Sequence, residues 1–196
     1  MRKGELRMPS FTKRAIMESC MKLLAEKPVN RISVKDIVED CGINRNTFYY
    51  HFEDMPALIE EIIRDEADKI IAEYDTVDSL THCLKIAADF ALKNRRAAMH
   101  VFDSPHRELY EKSLMSVCGH VVETYIDSLI EGRPISPRDR RIIIASYRNE
   151  FYGTIADWMS QGMKDEATDD FLRLCELKYG VAEEMISRSL GQQGRS

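Results

Sequence analysis

Long apolar runs are missing from this chain of 196 residues, which removes one broad class of function at once. A helix that crosses a bilayer needs about 20 consecutive apolar residues, and no stretch approaches that. The first residues also lack the apolar centre of a signal peptide, so a cytoplasmic protein with no membrane partner is expected. Glycine and proline are scarce, at nine and six, which argues against linkers and low-complexity segments. The five cysteines, Cys20, Cys41, Cys83, Cys118 and Cys175, are odd in number and widely spaced. They make neither a disulfide framework nor a CxxC metal pattern, and Cys20 and Cys41 fall where a small apolar residue is wanted. Cys118 and His120, two apart on a helix, point in different directions, so no metal site is expected. A Gly-rich phosphate loop, an HExxH pair and a nucleophile elbow are all absent from the sequence. Asp103, Ser104 and His106 form a turn beside an imidazole without the order of a triad. An enzyme and a cofactor are therefore not expected.

What remains is the composition of a small helical protein, 44% hydrophobic and 31% charged. The net charge of −5 is unevenly spread: residues 1–52 hold ten Lys/Arg against six Asp/Glu, a balance of +4, which leaves −9 for the rest. A basic head on an acidic body is expected if only the head meets a polyanion. Arg2, Lys3 and Arg7 lie in a short N-terminal arm that either touches that polyanion or is a solvated tail.

The most informative stretch is Ser33 to Phe52, SVKDIVEDCGINRNTFYYHF. Ser33 with Asp36 three residues on has the spacing of a capping box, and Val34, Ile37 and Val38 give one apolar side of a short helix. Gly42 can take the left-handed conformation that ends it, Ile43 turns back toward the core, and Asn44 caps a second helix. In that second helix Phe48 and Phe52 share a face, while Arg45, Asn46, Thr47, Tyr49, Tyr50 and His51 are polar or amphipathic. Arg and Asn can make bidentate bonds to base edges in a major groove, and the remaining side chains suit phosphates and thymine methyls. A helix pair that only packs against its surroundings has the same outline.

From about Thr12 to Leu58 these residues resemble the TetR-type (TetR/AcrR) transcriptional regulators, whose pattern is a helix, a capped helix, a glycine turn and a recognition helix like Thr47-Phe48-Tyr49-Tyr50-His51-Phe52. Thr12 to Lys27, with Ile16, Cys20, Leu23 and Leu24 on one stripe and Pro28 as the stop, corresponds to the first helix. Met55 to Tyr74 corresponds to the helix that links reading head and regulatory body. The resemblance implies DNA contact by Thr12, Ser33, Lys35, Asn44, Arg45, Asn46, Thr47, Tyr49, Tyr50 and His51. One departure stands out. Where family members usually carry a lysine after the His-Phe pair, this chain has Met55 behind Glu53 and Asp54, which removes a phosphate contact; acids at a helix start are otherwise stabilising.

Beyond residue 75 the periodicity predicts further helices over Val77–Leu92, Asn94–Phe102, His106–Ile130, Ser136–Gln161 and Thr168–Leu190, about nine in all, with no strand. The expected organisation is a helix-turn-helix head at 1–54, a helical regulatory and dimerisation body at 55–190 and a polar tail at 191–196. The Ser136–Gln161 helix carries too much apolar surface for one narrow stripe, which predicts two buried faces. One would face a partner across Tyr152, Gly153, Ala156 and Met159, since the family pairs its last two helices into a four-helix dimer interface. Tyr152-Gly153, Trp158 and Gly162-Met163 also resemble a C-terminal subgroup met in Firmicutes-like bacteria. An apolar effector cavity is expected around Met99, Phe102, His120, Tyr125, Arg148 and Phe151, with Met115, Tyr147, Trp158 and His100 as further candidates; plain core packing is the alternative for each. Arg148, within an apolar helix, calls for a partner, either Asp89, an acid of another helix or an anionic ligand. The resemblance implies a homodimeric repressor of a pseudo-palindromic operator in double-stranded DNA, released by a small-molecule effector. The alternative is a coactivator or partner-binding protein of the same fold with weakened DNA contact.

Overall fold

Apolar side chains recur at helical spacing along the whole chain, and in the structure, a computed structural model, they assemble helices only; it describes residues 11–73 and 88–193. The N-terminal arm, Tyr74 and residues 77–87 of the expected Val77–Leu92 helix lie outside the described residues. Three helices form the head: α1 (Phe11–Glu26), α2 (Val34–Cys41) and α3 (Arg45–His51), with one 3-10 turn at Val29–Arg31. Then come α4 (Met55–Glu73), α5 (described over 88–93), α6 (Arg95–Phe102), α7 (Arg107–Ile130), α8 (Pro137–Ser160), α9 (Asp165–Leu177) and α10 (Val181–Gln193).

Local chemistry explains most of the boundaries. Asp36 N–H donates to the Ser33 hydroxyl at 3.2 Å, and Ser33 N–H donates to Asp36 Oδ2 at 2.7 Å, so the capping box is closed both ways. Gly42 ends α2 at φ 68°, a conformation that costs glycine nothing. Ser136 accepts from Asp139 N–H at 3.0 Å with Pro137 in the first turn of α8.

The C-terminal region departs from the sequence expectation. Instead of one helix over Thr168–Leu190 there are two, because Gly180 takes φ 79° and lets the chain turn between Leu177 and Val181. Thr168 is not the cap of α9 but lies within its first turn, where it is buried and accepts from Trp158 Nε1 at 2.8 Å. The helix also runs on to Gln193, three residues into the expected polar tail.

Three clusters of buried side chains hold the helices together. The head's cluster joins Ile16, Cys20 and Leu24 of α1 to Ile37 and Val38 of α2 and Phe48 of α3, and it continues into Leu58, Ile59 and Ile62 of α4 and Ala97 of α6. A second gathers Ala88, Trp158, Met163 and Phe171, with the Trp158 and Phe171 rings stacked at 5.7 Å. The third packs Val122, Ile126 and Leu129 of α7 against Ile143 of α8 and Ala182 and Ile186 of α10. Phe48 is fully buried at the centre of the head. Phe48→Ala should therefore cost about 3–5 kcal/mol, the range for truncating a core aromatic. Urea unfolding measures it; a loss below about 1 kcal/mol would mean that α3 is not anchored there.

Candidate nucleic-acid interface and adjoining cavity

Phe48 and Phe52 are buried, and their burial turns the other side of α3 outward. Asn44, Arg45 and Asn46 are exposed, Tyr49 is 56% and Tyr50 84% exposed, and Thr47 and His51 are half-buried. Asn44 is committed as the cap: its Oδ1 accepts from Thr47 N–H at 2.9 Å and from the Thr47 hydroxyl at 3.1 Å. Tyr49 sets its ring edge-on to Phe48 at 5.4 Å, and Tyr50 does the same with His51 at 5.0 Å. Thr12 is half-buried near the start of α1, and Ser33 is engaged in the capping box. Lys35 is exposed and 3.6 Å from Glu39. All ten residues belong to the head, but only Arg45, Asn46, Tyr49 and Tyr50 are exposed without a capping or ion-pair duty among the described residues.

Among the described residues, five of the head's seven cations are paired. Lys13 pairs with Glu61, Arg14 with Glu18, Lys22 with Asp40, Lys27 with Asp36 and Lys35 with Glu39. The exposed pairs among these contribute little to stability. Arg45 makes no ion pair with any described residue. At the border of the head, Asp54 accepts from Ala57 N–H at 2.8 Å and so caps α4, while Met55 packs against the head's cluster.

Behind the head lies a cavity of about 270 Å³, almost wholly apolar. Its walls include Ile59, Ile63, Ala67 and Ile70 of α4, Ala98 and Phe102 of α6, Phe151, Tyr152, Ala156 and Met159 of α8, and Met21 and Leu24 of α1. Of the residues expected there, Phe102, Phe151 and Trp158 line it, while Tyr125 and Tyr147 line a second, smaller cavity that also borders Phe151. Met99 packs against the neighbouring cluster around Trp158. His120 Nε2 is 2.6 Å from Asp68 Oδ1 and ties α7 to α4 instead. Arg148 finds no acid among the described residues: its guanidinium donates to Asn149 Oδ1 at 3.2 Å, and its stem lies over Gly119, where a Cβ would come within 3.3 Å. Of the four residues expected at a dimer face, Tyr152, Ala156 and Met159 turn toward the large cavity, and Gly153 is exposed with nothing within 4 Å of a Cβ built there.

The sequence reading missed one contact. His100 Nδ1 lies 2.7 Å from the carbonyl oxygen of Leu24. A carbonyl only accepts, so Nδ1 carries the proton. The helical partner for that carbonyl would be residue 28, which is proline and has no N–H, so His100 of α6 supplies the donor that the end of α1 lacks. A proline four residues after a helical position is a sequence signal for such an orphan, though it does not say which side chain answers.

Residues 16–62 match the family model described as bacterial regulatory proteins, tetR family, and residues 78–177 match the one described as transcriptional regulator C-terminal region. The chain is 22% identical over 108 residues to the HTH-type transcriptional repressor KstR2 of Mycolicibacterium smegmatis, covering 52% of this chain and 53% of that protein. It is 30% identical over 71 residues to KstR2 of Mycobacterium tuberculosis, 36% of each chain. The matches thus span about half or less of those relatives. The dihydroxyacetone kinase operon activator DhaS superposes over 91% of this chain and 98% of its own with a TM-score of 0.61, and at 15% identity that likeness concerns the fold.

Two outcomes follow from the geometry. Hydrogen bonds from the Ser33 backbone and then its hydroxyl hold the Asp36 carboxyl at about 2, below the ordinary 3.8. A lowered carboxylate stabilises above its unfolded value and loses that contribution as pH falls through the folded one. The Tm difference between wild type and Asp36→Asn should be constant near neutrality and close between about pH 4 and pH 2; a gap independent of pH would contradict the capping role. His100→Ala leaves a buried carbonyl without a donor and should cost about 1–3 kcal/mol. Hydrogen exchange should then quicken around Glu26–Arg31, and unchanged exchange there would remove His100 as the tie.

Proposed function

We propose that this chain, which belongs to the TetR family of bacterial transcriptional regulators, is a dimeric repressor that holds a pseudo-palindromic operator and lets go when an apolar small molecule fills its large cavity. DNA is its partner, and it is a regulator, not an enzyme. The observation that carries the release step is the shared wall: α1 and α4, which bury the back of the recognition helix, also line the cavity. An occupant there needs room from the same helices that set the head's position. The division into a head at 1–54 and a body from 55 onward belongs to this proposal, with the body's last helix running to Gln193 in place of a tail that begins at 191.

On the DNA, Arg45 and Asn46 read base edges from the first turn of α3. Tyr49, Tyr50 and His51 meet the backbone, and Thr12, Ser33 and Lys35 approach the phosphates that flank the groove. The capping residues Asn44 and Thr47 hold this turn in place. A twofold dimer sets its two recognition helices about 34 Å apart or a multiple of that, which requires a dyad in the operator. The outward face of α8, with Ile142 half-exposed at 52% and Gly153 flat, is the contact surface we assign to the partner, and Tyr152, Ala156 and Met159 back it from inside. Such a protein works in the cytoplasm, and no helix among the described residues is long and apolar enough to cross a membrane.

Fluorescence anisotropy on DNA from upstream of the protein's own gene tests the reading. Arg45→Ala should cost about 1–3 kcal/mol and relax preference at one base position, whereas Tyr49→Phe should weaken all sequences alike. Absence of binding to any upstream fragment at low salt would favour instead a coactivator that keeps the fold, with Met55 in place of a phosphate-binding lysine.

A further inference from the structure

A handful of polar side chains interrupt the apolar walls of the large cavity, and most of them are already engaged. Glu66 is ion-paired with Lys69 at 3.3 Å, and Glu111 accepts from Arg107 Nε at 2.5 Å. The Arg107 guanidinium also lies 4.4 Å from the centre of the Phe102 ring, with its side chain 48% exposed at the rim. Asn94 donates to the carbonyl of Phe90 at 2.9 Å, and Trp158 Nε1 is committed to Thr168. Burial pushes the Cys118 thiol up to about 12, so it carries no charge. Two phenols remain on the walls, Tyr110 and Tyr152, both half-buried. Neither hydroxyl has a hydrogen-bond partner among the described residues, and both stay open to water. Burial raises both phenols above their ordinary value, so each is an O–H donor at neutral pH.

An unpaired charge is far costlier to bury in apolar surroundings than a hydroxyl or a carbonyl. A ligand anion would meet Glu111 and Asp103 around Arg107, and a ligand cation would compete with Arg107 and Lys69 for carboxylates that those two already hold. A neutral oxygen meets neither obstacle and finds two free phenol donors. Resting on the reading that this cavity is the effector site, we propose that its ligand is an uncharged, largely apolar compound of about ten heavy atoms, whose one hydroxyl or carbonyl oxygen accepts from Tyr110 or Tyr152. The size follows from the volume of about 270 Å³, nearly twice that of an engineered apolar cavity of about 150 Å³ that takes benzene. Tyr110 also packs against the head's cluster, so an oxygen bound there meets a side chain that cavity and head share.

Octanol, octanoate and octylammonium share one chain and differ in charge, so their binding to the full chain at neutral pH and fixed ionic strength tests this without DNA. Trp158, the one tryptophan of the sequence, lines the cavity and reports occupancy by its fluorescence. Saturable binding of octanol is expected, at least tenfold tighter than that of either ion. Replacing both phenols, Tyr110→Phe with Tyr152→Phe, conserves shape and should weaken octanol severalfold without changing Tm. Either ion binding as tightly as octanol, no saturable binding of octanol, or wild-type affinity for it in the double variant would overturn the inference. Octanol that binds as expected but leaves the operator complex intact would support the inference and remove the release step of the proposed function instead.

Discussion

α4 has to satisfy three surfaces at once, and the rest of the molecule is arranged around that demand. Leu58, Ile59 and Ile62 are buried in the head's cluster, and Ile59, Ile63, Ala67 and Ile70 form a wall of the large cavity. Its third surface is sewn to α7 by polar links. Ser113 donates to the Pro56 carbonyl at 3.4 Å, Ser116 to Glu60 at 2.7 Å with Arg64 donating to Ser116 at 3.0 Å, and Asp68 meets His120 at 2.6 Å. Positions 56, 60, 64 and 68 are one turn apart, so the links form a seam along one side of the helix. Fixed to the head by apolar burial and to α7 by the seam, the helix and these neighbours form one packed unit. An occupant of the cavity acts on the head only by as much as it prefers one position of that unit to another.

The contact between His100 and Leu24 closes the circuit on the other side. α6 lines the cavity through Ala98 and Phe102, and from the same helix His100 completes the hydrogen bonding of α1. The head therefore rests on α4 by apolar burial and on α6 both by Ala97 in the same cluster and by the His100 hydrogen bond. α1 also borders the cavity directly, through Met21 and Leu24.

Much of the head was readable in the sequence because its signals are local. A capping box, a left-handed glycine, an Asn cap and two phenylalanines four apart each act within one turn of chain, and every one has its expected geometry. The body was readable as helices but not as an arrangement. Apolar spacing placed Tyr152, Ala156 and Met159 on one side of α8 without saying which neighbour that side would meet, and in the single chain they meet the cavity. The break at Gly180 was hidden by Leu177, Val181 and Met185, which continue the apolar pattern on both sides of the turn. Arg148 was expected to seek an acid, but a close crossing at Gly119 lets its stem lie along α7 and its charged end reach Asn149. Such outcomes depend on contacts between residues far apart in the chain, which periodicity does not encode.

The charge pattern also changes meaning in three dimensions. Five of the seven described cations of the head have an acidic neighbour, while Arg45, exposed on α3, makes no ion pair with any described residue. On the proposed reading, specificity rests on the first turn of α3 and affinity on the number of heads engaged at once. Selection from a random pool of double-stranded DNA with the full chain, followed by sequencing of the enriched fragments, tests that view most directly. The account predicts an inverted repeat whose half-sites are centred about one or two helical turns apart; enrichment of no common sequence at low salt, or of a single site without a dyad, would contradict it.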